Sequence, residues 1–155
     1  MDRIAIAGIV LACHLALISW IDYRRYIIPN ALNVSLALSG FLVSTIVLQK
    51  TAMTTLIESG FTIFTFLLIG KIYSATRKRR GFGAGDIKFL GAAALWVGLL
   101  GIPWVVLIAS IAGLLFVIVV NLVGRTIGPE SRLAFGPHLS LGLMLTWLLR
   151  DMIHV

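Results

Sequence analysis

Long runs of apolar residues, separated by short polar segments, dominate the pattern of this chain. A helix that crosses a bilayer needs about 20 mostly apolar residues, within a range of about 17–25. Six segments are candidates for such helices: 4–20, 31–48, 56–73, 87–100, 104–123 and 133–149. The fourth is short and is bounded by Gly101 and Pro103, which leaves its boundary with its neighbours open. Because the runs do not alternate, closed barrels are excluded, and the pattern predicts an all-α polytopic membrane protein.

Composition supports a membrane protein rather than a soluble one. The hydrophobic fraction is 59% and the charged fraction is 12%, whereas soluble domains carry about 25% charged residues. Mean hydropathy is +1.03. With no internal repeat and no evident linker, we interpret residues 1–155 as a single membrane-embedded domain. The one cysteine, Cys13, allows neither an internal disulfide nor a cysteine-rich zinc site.

The basic residues predict how the chain is oriented in the membrane. With six spans and an outer N-terminus, ten of the 13 Lys and Arg residues lie on the cytoplasmic side and three on the outer side. The positive-inside rule therefore favours an N-out, C-out orientation. The same rule and anionic lipid explain the net charge of +7, so that we expect the lipid bilayer and no nucleic acid as a partner. We expect the basic run 77–80 to anchor its loop to anionic lipid.

Two of the six acidic residues stand out by position. Asp22 and Asp86 both lie at predicted cytoplasmic boundaries and on different helices, while the other four lie near outer ends or in a polar loop. Two carboxyls at hydrogen-bonding distance do not both ionise easily, so that one keeps a proton. Such a pair can activate a water and protonate a peptide carbonyl, as aspartic proteases do. The sequence therefore predicts Asp22 and Asp86 as catalytic residues, in an active site that faces the cytoplasm.

Residues near the two acids have predicted supporting roles. Gly83 and Gly85 lack side chains and would let a substrate backbone pass close to Asp86. Pro29 and Asn30 form a turn after the first span. Asp86 opens a helix, where the helix dipole favours a negative charge, and Asp22 closes one, which predicts Asp86 as the base and Asp22 as the acid.

Other chemistry has little support in the sequence. His14, His138 and His154 have no ligand spacing, so that we expect no metal and no cofactor. There is no G-x-S-x-G motif, and the glycine-rich segment 81–85 is not followed by the G-K-[ST] of a P-loop. We expect Lys88 to extend toward the cytoplasm rather than to pair with Asp86.

Three segments resemble the type IV prepilin leader peptidases, the G-x-G-D membrane aspartic proteases. The segment 21–30, IDYRRYIIPN, is similar to the family's first-aspartate segment. The segment 83–88, GAGDIK, is similar to its G-x-G-D-x-K motif, and 134–137, AFGP, to its F-G-P stretch before the last helix. The resemblance covers about residues 18–145.

The resemblance implies prepilins and pseudopilins as substrates, cut after a short basic leader and just before an apolar helix, at the cytoplasmic face of the cytoplasmic (inner) membrane. By matching positions it implies Asp22 and Asp86 as the catalytic pair, with Gly83, Gly85, Lys88, Pro29 and Asn30 as substrate-binding or loop residues. The larger members carry paired cysteines associated with N-methylation. This chain begins at its first span and has one cysteine, so that it resembles the short, peptidase-only members of tight-adherence (Flp-type) pilus systems, and we expect no methyltransferase activity.

Two alternatives are open from the sequence. One is an intramembrane protease that cuts helices within lipid, since G-x-G-D occurs there too. The other is a non-enzymatic small transporter that uses the acidic pair as a proton relay. Nothing in the pattern indicates an oligomeric state.

Overall fold

The computed structural model describes residues 3–77, 83–123 and 134–153. Every regular element within these ranges is helical, which confirms the predicted fold class there. The helices are α1 (Arg3–Arg25), α2 (Asn30–Leu42), α3 (Ala52–Arg77), α4 (Ala84–Leu122) and α5 (Gly136–Leu148). A π-helical turn, Val43–Val47, extends α2.

Four of the described helices are long and apolar enough to cross a membrane. They are Arg3–Arg25, Asn30–Val47, Ala52–Thr76 and Ala84–Leu122. Predicted spans four and five both correspond to α4, and predicted span six corresponds to α5, which has 13 residues. The chain is thus an integral membrane protein by its helices, while the count of six spans and the N-out, C-out orientation stay predictions.

Helix α4 is interrupted at Gly98, which divides it into a first part, 84–97, and a second part, 99–122. Gly98 has φ 70° and ψ 176°. This left-handed backbone is open to glycine at little cost, because a Cβ would be strained there. The break therefore falls at Gly98 and not at the predicted boundary of Gly101 and Pro103. Pro103 follows soon after the break, inside the second part.

The chain reverses direction at this break. Before it, the ring of Trp96 lies 5.5 Å from the ring of Trp147, near the end of α5. After it, Gly113 faces the start of α5, where a Cβ on Gly113 would lie 3.5 Å from the Phe135 ring. The two parts of α4 therefore run along α5 in opposite directions to each other, as expected of two separate spans.

The first part of α4 forms the centre of the helix bundle. Phe89, Leu90 and residues 92–97 are almost fully buried. Small residues at 91–94 let neighbouring helices approach closely, as is common in membrane bundles. Side-chain hydrogen bonds fix these neighbours: Ser59 donates to the Gly91 carbonyl at 2.8 Å, and Trp96 Nε1 donates to the Leu36 carbonyl at 2.9 Å. Asp86 therefore lies on the most buried helical segment of the described structure, the first part of α4.

Candidate active site

Asp22 is a buried carboxylate in the last turn of α1. Its side chain is only 5% exposed. Its Oδ2 accepts a hydrogen bond from the backbone N–H of Gly136, the first residue of α5, at 2.8 Å. The start of α5 has no side-chain cap of its own, since Phe135 makes no capping bond. Asp22 therefore caps α5 from another helix, where the free N–H groups of a helix start favour a negative charge.

Gly136 is a glycine because Asp22 leaves no room for a side chain. A Cβ on Gly136 would lie 2.7 Å from Asp22 Oδ2 and 2.9 Å from Asp22 Cβ. Both distances are shorter than real Cβ contacts. Pro137, which follows, has no N–H but sits in the first turn, where none is needed. The F-G-P sequence thus gives a helix start that a carboxylate can approach closely.

Asp86 lies at the start of a helix as well. It is the third residue of α4, and its carboxylate accepts the backbone N–H of Gly83, the residue that precedes the helix. A Cβ on Gly83 would lie 2.8 Å from Asp86 Oδ2. An acidic side chain at this helical position reaches back to the helix start in the way of a capping box. Gly83 therefore permits the close approach of the Asp86 carboxylate.

The two carboxylates, 64 residues apart in the sequence (86 − 22), lie close enough for Asp22 to act on Asp86 electrostatically. His138, one turn into α5, also acts electrostatically on Asp22. Its ring stacks on Phe135, and its Nδ1 lies 3.1 Å from the Ala134 carbonyl oxygen. No group of three or more His, Cys, Asp or Glu side chains forms a metal-binding cluster within 3–77, 83–123 and 134–153. What this arrangement offers is a carboxylate pair flanked by one imidazole.

The segment before α2 packs directly against the segment that carries Asp86. Lys88 Nζ donates to Asn30 Oδ1 at 2.8 Å. A Cβ on Gly85 would lie 3.4 Å from Ile28 Cβ. Lys88 is exposed, and its side chain binds Asn30 on the neighbouring segment. This contact agrees with the prediction that Lys88 does not pair with Asp86. The structure brings Asn30, Gly85 and Lys88 together as one scaffold.

Pro29 and Asn33 anchor the same scaffold from α2. Pro29 precedes α2 with an extended backbone, and its carbonyl accepts the N–H groups of Leu32 and Asn33. The Asn33 side chain donates to the Gly85 carbonyl at 3.4 Å, and it is 4% exposed. Asn33 was not among the site residues predicted from the sequence. A signal exists, because Asn30 and Asn33 are three residues apart and share one face of the first turn of α2.

Gly136 is the other residue that the sequence analysis did not single out as part of the site. Its contact with Asp22 also changes the electrostatic setting of that carboxyl. Asp22 was expected to lie only at the end of a helix, where the dipole does not favour a negative charge. Both carboxylates accept an N–H at the start of a helix, so that the dipole argument no longer separates a base from an acid. The assignment of Asp86 as base stays a prediction.

Of the basic run 77–80, residues 78–80 lie outside the described residues.

Comparison with known proteins finds similarity over most of the chain. Residues 9–118 match the model of the type IV leader peptidase family. A prepilin leader peptidase/N-methyltransferase of Burkholderia pseudomallei is 32% identical over 141 residues, which is 89% of this chain and 44% of that protein. The protein of the same name from Escherichia coli K12 is 31% identical over 142 residues, 86% of this chain and 58% of that protein.

A third relative of that name, from Xanthomonas campestris, is 31% identical over 106 residues, 68% of this chain and 37% of that protein. The chain therefore spans about half the length of the curated relatives it matches. No solved structure matches it. The region matched by the family model contains both Asp22 and Asp86 but ends before Gly136.

Proposed function

Because the chain belongs to the type IV leader peptidase family, we propose that it is a membrane-bound aspartic endopeptidase that cleaves the short basic leader from type IV prepilins and pseudopilins. The observation that carries the proposal is that Asp22 and Asp86, from two helices, lie close enough to interact electrostatically. The relatives are named for the same substrate class. The proposal covers the peptidase reaction and not N-methylation, since the paired cysteines linked to that activity have no counterpart in these 155 residues.

The proposed chemistry uses one ionised and one protonated carboxyl. The ionised carboxylate takes a proton from a water, whose oxygen attacks the carbonyl carbon of the scissile peptide. The protonated carboxyl donates its proton to the carbonyl oxygen, which gives a tetrahedral diol. A proton then passes to the leaving nitrogen as the C–N bond breaks. The products are the leader with a new carboxyl terminus and the mature pilin with a new amino terminus.

Backbone N–H groups would assist these steps by giving each of the two carboxyls a hydrogen-bond donor. Gly136 N–H binds Asp22 and Gly83 N–H binds Asp86, so that each acid has a donor of its own. The remaining oxygen of each carboxyl is then available for the shared water. Gly83 and Ala84 are exposed beside Asp86, where a peptide backbone can approach.

We place the active site at the cytoplasmic face of the inner membrane, in an N-out, C-out arrangement with six spans. The basic residues Arg24, Arg25 and Lys88 lie at the same end of the bundle as the two acids. Reporter fusions test this: a reporter that is active outside the membrane should give signal at position 50 and none at position 77. The reverse pattern would refute the orientation.

The direct test is a cleavage assay in membranes with co-expressed prepilins. Asp22→Asn and Asp86→Asn keep size and polarity but cannot ionise, and each should abolish leader cleavage. Asp151→Asn is the matched control, because Asp151 is 84% exposed and pairs only with Arg150 among its described contacts, at 3.6 Å. It should cleave at the wild-type rate. Undiminished cleavage by either Asp22→Asn or Asp86→Asn, at normal protein levels, would refute the assignment.

A further inference from the structure

A continuous groove runs along the surface between α1 and α5. It consists of two adjoining cavities of about 320 Å³ and about 300 Å³, which share Ala16, Ser19 and Pro137. We call it the α1–α5 groove. Three of the six α1 residues in its wall are small, Ala12, Ala16 and Ser19, and they recur every three to four residues and therefore lie on one face of the helix. Small residues on one helix face let another helix approach closely in a membrane.

One end of the α1–α5 groove opens beside the candidate active site. Tyr23 lines that end and is the residue after Asp22. Pro137 lines it from α5 and is the residue after Gly136, which binds Asp22. The groove therefore leads away from the Asp22 carboxylate and along the two helices.

A buried polar atom without a partner lies in the wall of the groove. Ser140 lines it and is 4% exposed, yet its Oγ has no hydrogen-bond partner within the described structure. Two other buried hydroxyls behave differently: Thr146 of α5 donates to the Gly142 carbonyl, and Ser44 of the π-helical turn donates to the Leu95 carbonyl. A buried hydroxyl normally finds a partner, so that Ser140 Oγ is an unsatisfied polar atom in the wall of the groove.

A second groove, between α3 and α4, is larger but lies at the wrong end of the bundle. Its volume is about 490 Å³, and it is lined by Leu99, Leu100 and Pro103 among others. These residues adjoin the break at Gly98, where a Cβ would meet Lys50 and Glu58. Asp86 lies at the opposite end of the first part of α4. A peptide held in the α3–α4 groove would therefore not present its end to the two acids.

We propose that the α1–α5 groove binds the apolar helix that follows the leader in the prepilin substrate. This inference rests on the proposed function, which supplies a substrate that is cut just before an apolar helix. From Tyr23 to Ala12 the groove covers 11 residues of α1, or about 16 Å at 1.5 Å per residue. It therefore holds the first three turns of the substrate helix and sets the scissile bond at the level of Asp22.

Filling the groove tests the proposal with two substrates. One is a full-length prepilin in membranes, and the other is a soluble peptide that contains the leader and four residues beyond the scissile bond. Ala16→Leu should raise the KM for the full-length prepilin at least tenfold and leave cleavage of the peptide unchanged. Cys13→Leu is the matched control, because Cys13 lies exposed on the same helix. It should change neither rate.

A milder variant separates the groove from any effect on folding. Ser140→Ala keeps the shape of the wall and removes the hydroxyl, and an interhelical hydrogen bond lost in a membrane should raise the KM for the prepilin about threefold. Equal loss with both substrates in Ala16→Leu and Ser140→Ala, or no loss with either, would overturn the groove assignment. A wild-type protein that cleaves neither substrate would instead refute the proposed function itself.

Disulfide cross-linking tests the position of the substrate helix directly. Ser19→Cys in a Cys13→Ser, Asp86→Asn background should capture single cysteines in the first three turns of the prepilin helix, at every third or fourth position. Thr65→Cys, in the α3–α4 groove, serves as the control and should capture none. Cross-links at Thr65→Cys in the absence of any at Ser19→Cys would overturn the proposal.

Discussion

Replacing Gly136 by alanine places one methyl group against the Asp22 carboxylate. The new Cβ would lie 2.7 Å from Asp22 Oδ2, whereas ordinary contacts begin at 3.4 Å, so that the two must separate by 0.7 Å (3.4 − 2.7). Added to the present N···O distance of 2.8 Å, this separation gives a distance of about 3.5 Å, beyond the usual limit of about 3.2 Å for a hydrogen bond. The substitution should therefore break the bond that positions Asp22.

The magnitude follows from the strength of that bond. A hydrogen bond to a charged group contributes about 1.5–3 kcal/mol. At about 1.36 kcal/mol per tenfold change in rate, its loss corresponds to a fall in cleavage of about 10- to 160-fold. The assay is kcat/KM for a prepilin in membranes, normalised to the amount of folded protein.

Two other glycine-to-alanine variants serve as controls. Gly60→Ala, on α3, meets nothing within 4 Å; it should keep full activity and add about 0.5–1 kcal/mol of stability, as alanine does in a helix interior. Gly142→Ala, further along α5, would press on the backbone carbonyl of Val105. It should lower the melting temperature in detergent while the folded fraction still cleaves.

The comparison of the three variants separates site geometry from stability. Wild-type kcat/KM in Gly136→Ala would refute the role given to the Gly136 N–H. A fall in activity that matched its loss of folded protein, as in Gly142→Ala, would show that the contact stabilises the fold and does not position Asp22.

Three further variants test the scaffold and the helix break. Lys88→Met should lower cleavage about fivefold, because a net hydrogen bond contributes about 1 kcal/mol. Adding Asn30→Ala should cause no further loss, because Lys88 and Asn30 share that bond. Additive losses would contradict this coupling between the two residues. Gly98→Ala should lower thermal stability by about 1–2 kcal/mol, since left-handed backbone disfavours a side chain; an unchanged melting temperature would show that the break can move elsewhere. Trp96→Phe removes the hydrogen bond from Nε1 to the Leu36 carbonyl, which keeps a second donor in Ser39 Oγ, and should destabilise the protein by about 0.5–1.5 kcal/mol. Equal unfolding curves for wild type and Trp96→Phe in detergent would contradict that role.

Hydrophobic runs were enough to predict the helices, because only helices satisfy the backbone of a single chain segment in lipid. They did not give the helix ends. The first run was predicted to end at residue 20, but α1 continues to Arg25, since a helix need not stop where its apolar face does. Asp22 is therefore a helical residue that points into the bundle.

The family was also predictable from the sequence, because three short motifs occur in the right order and the family model matches 9–118. Contacts between distant segments were not predictable. The Gly136 N–H reaches Asp22 across 114 residues, and no local pattern specifies such a pairing. Likewise, Gly98 and Gly101 are indistinguishable by sequence, and only the backbone of the folded chain shows that Gly98 adopts a positive φ.

The hydrogen bond between Gly136 and Asp22 links α5 to α1 across 114 residues of sequence. This separation has a consequence for biosynthesis. Ribosomes add about 5–20 residues per second, so that about 6–23 s pass between the synthesis of Asp22 and that of Gly136. For the last 50 of these 114 residues (136 − 86), the nascent protein holds both aspartates but lacks the helix start that binds the first. A chain that stops before α5 would carry every acidic residue proposed for the chemistry and still be inactive. Under the proposed function, a given molecule would therefore begin to cleave prepilins only after α5 has entered the membrane.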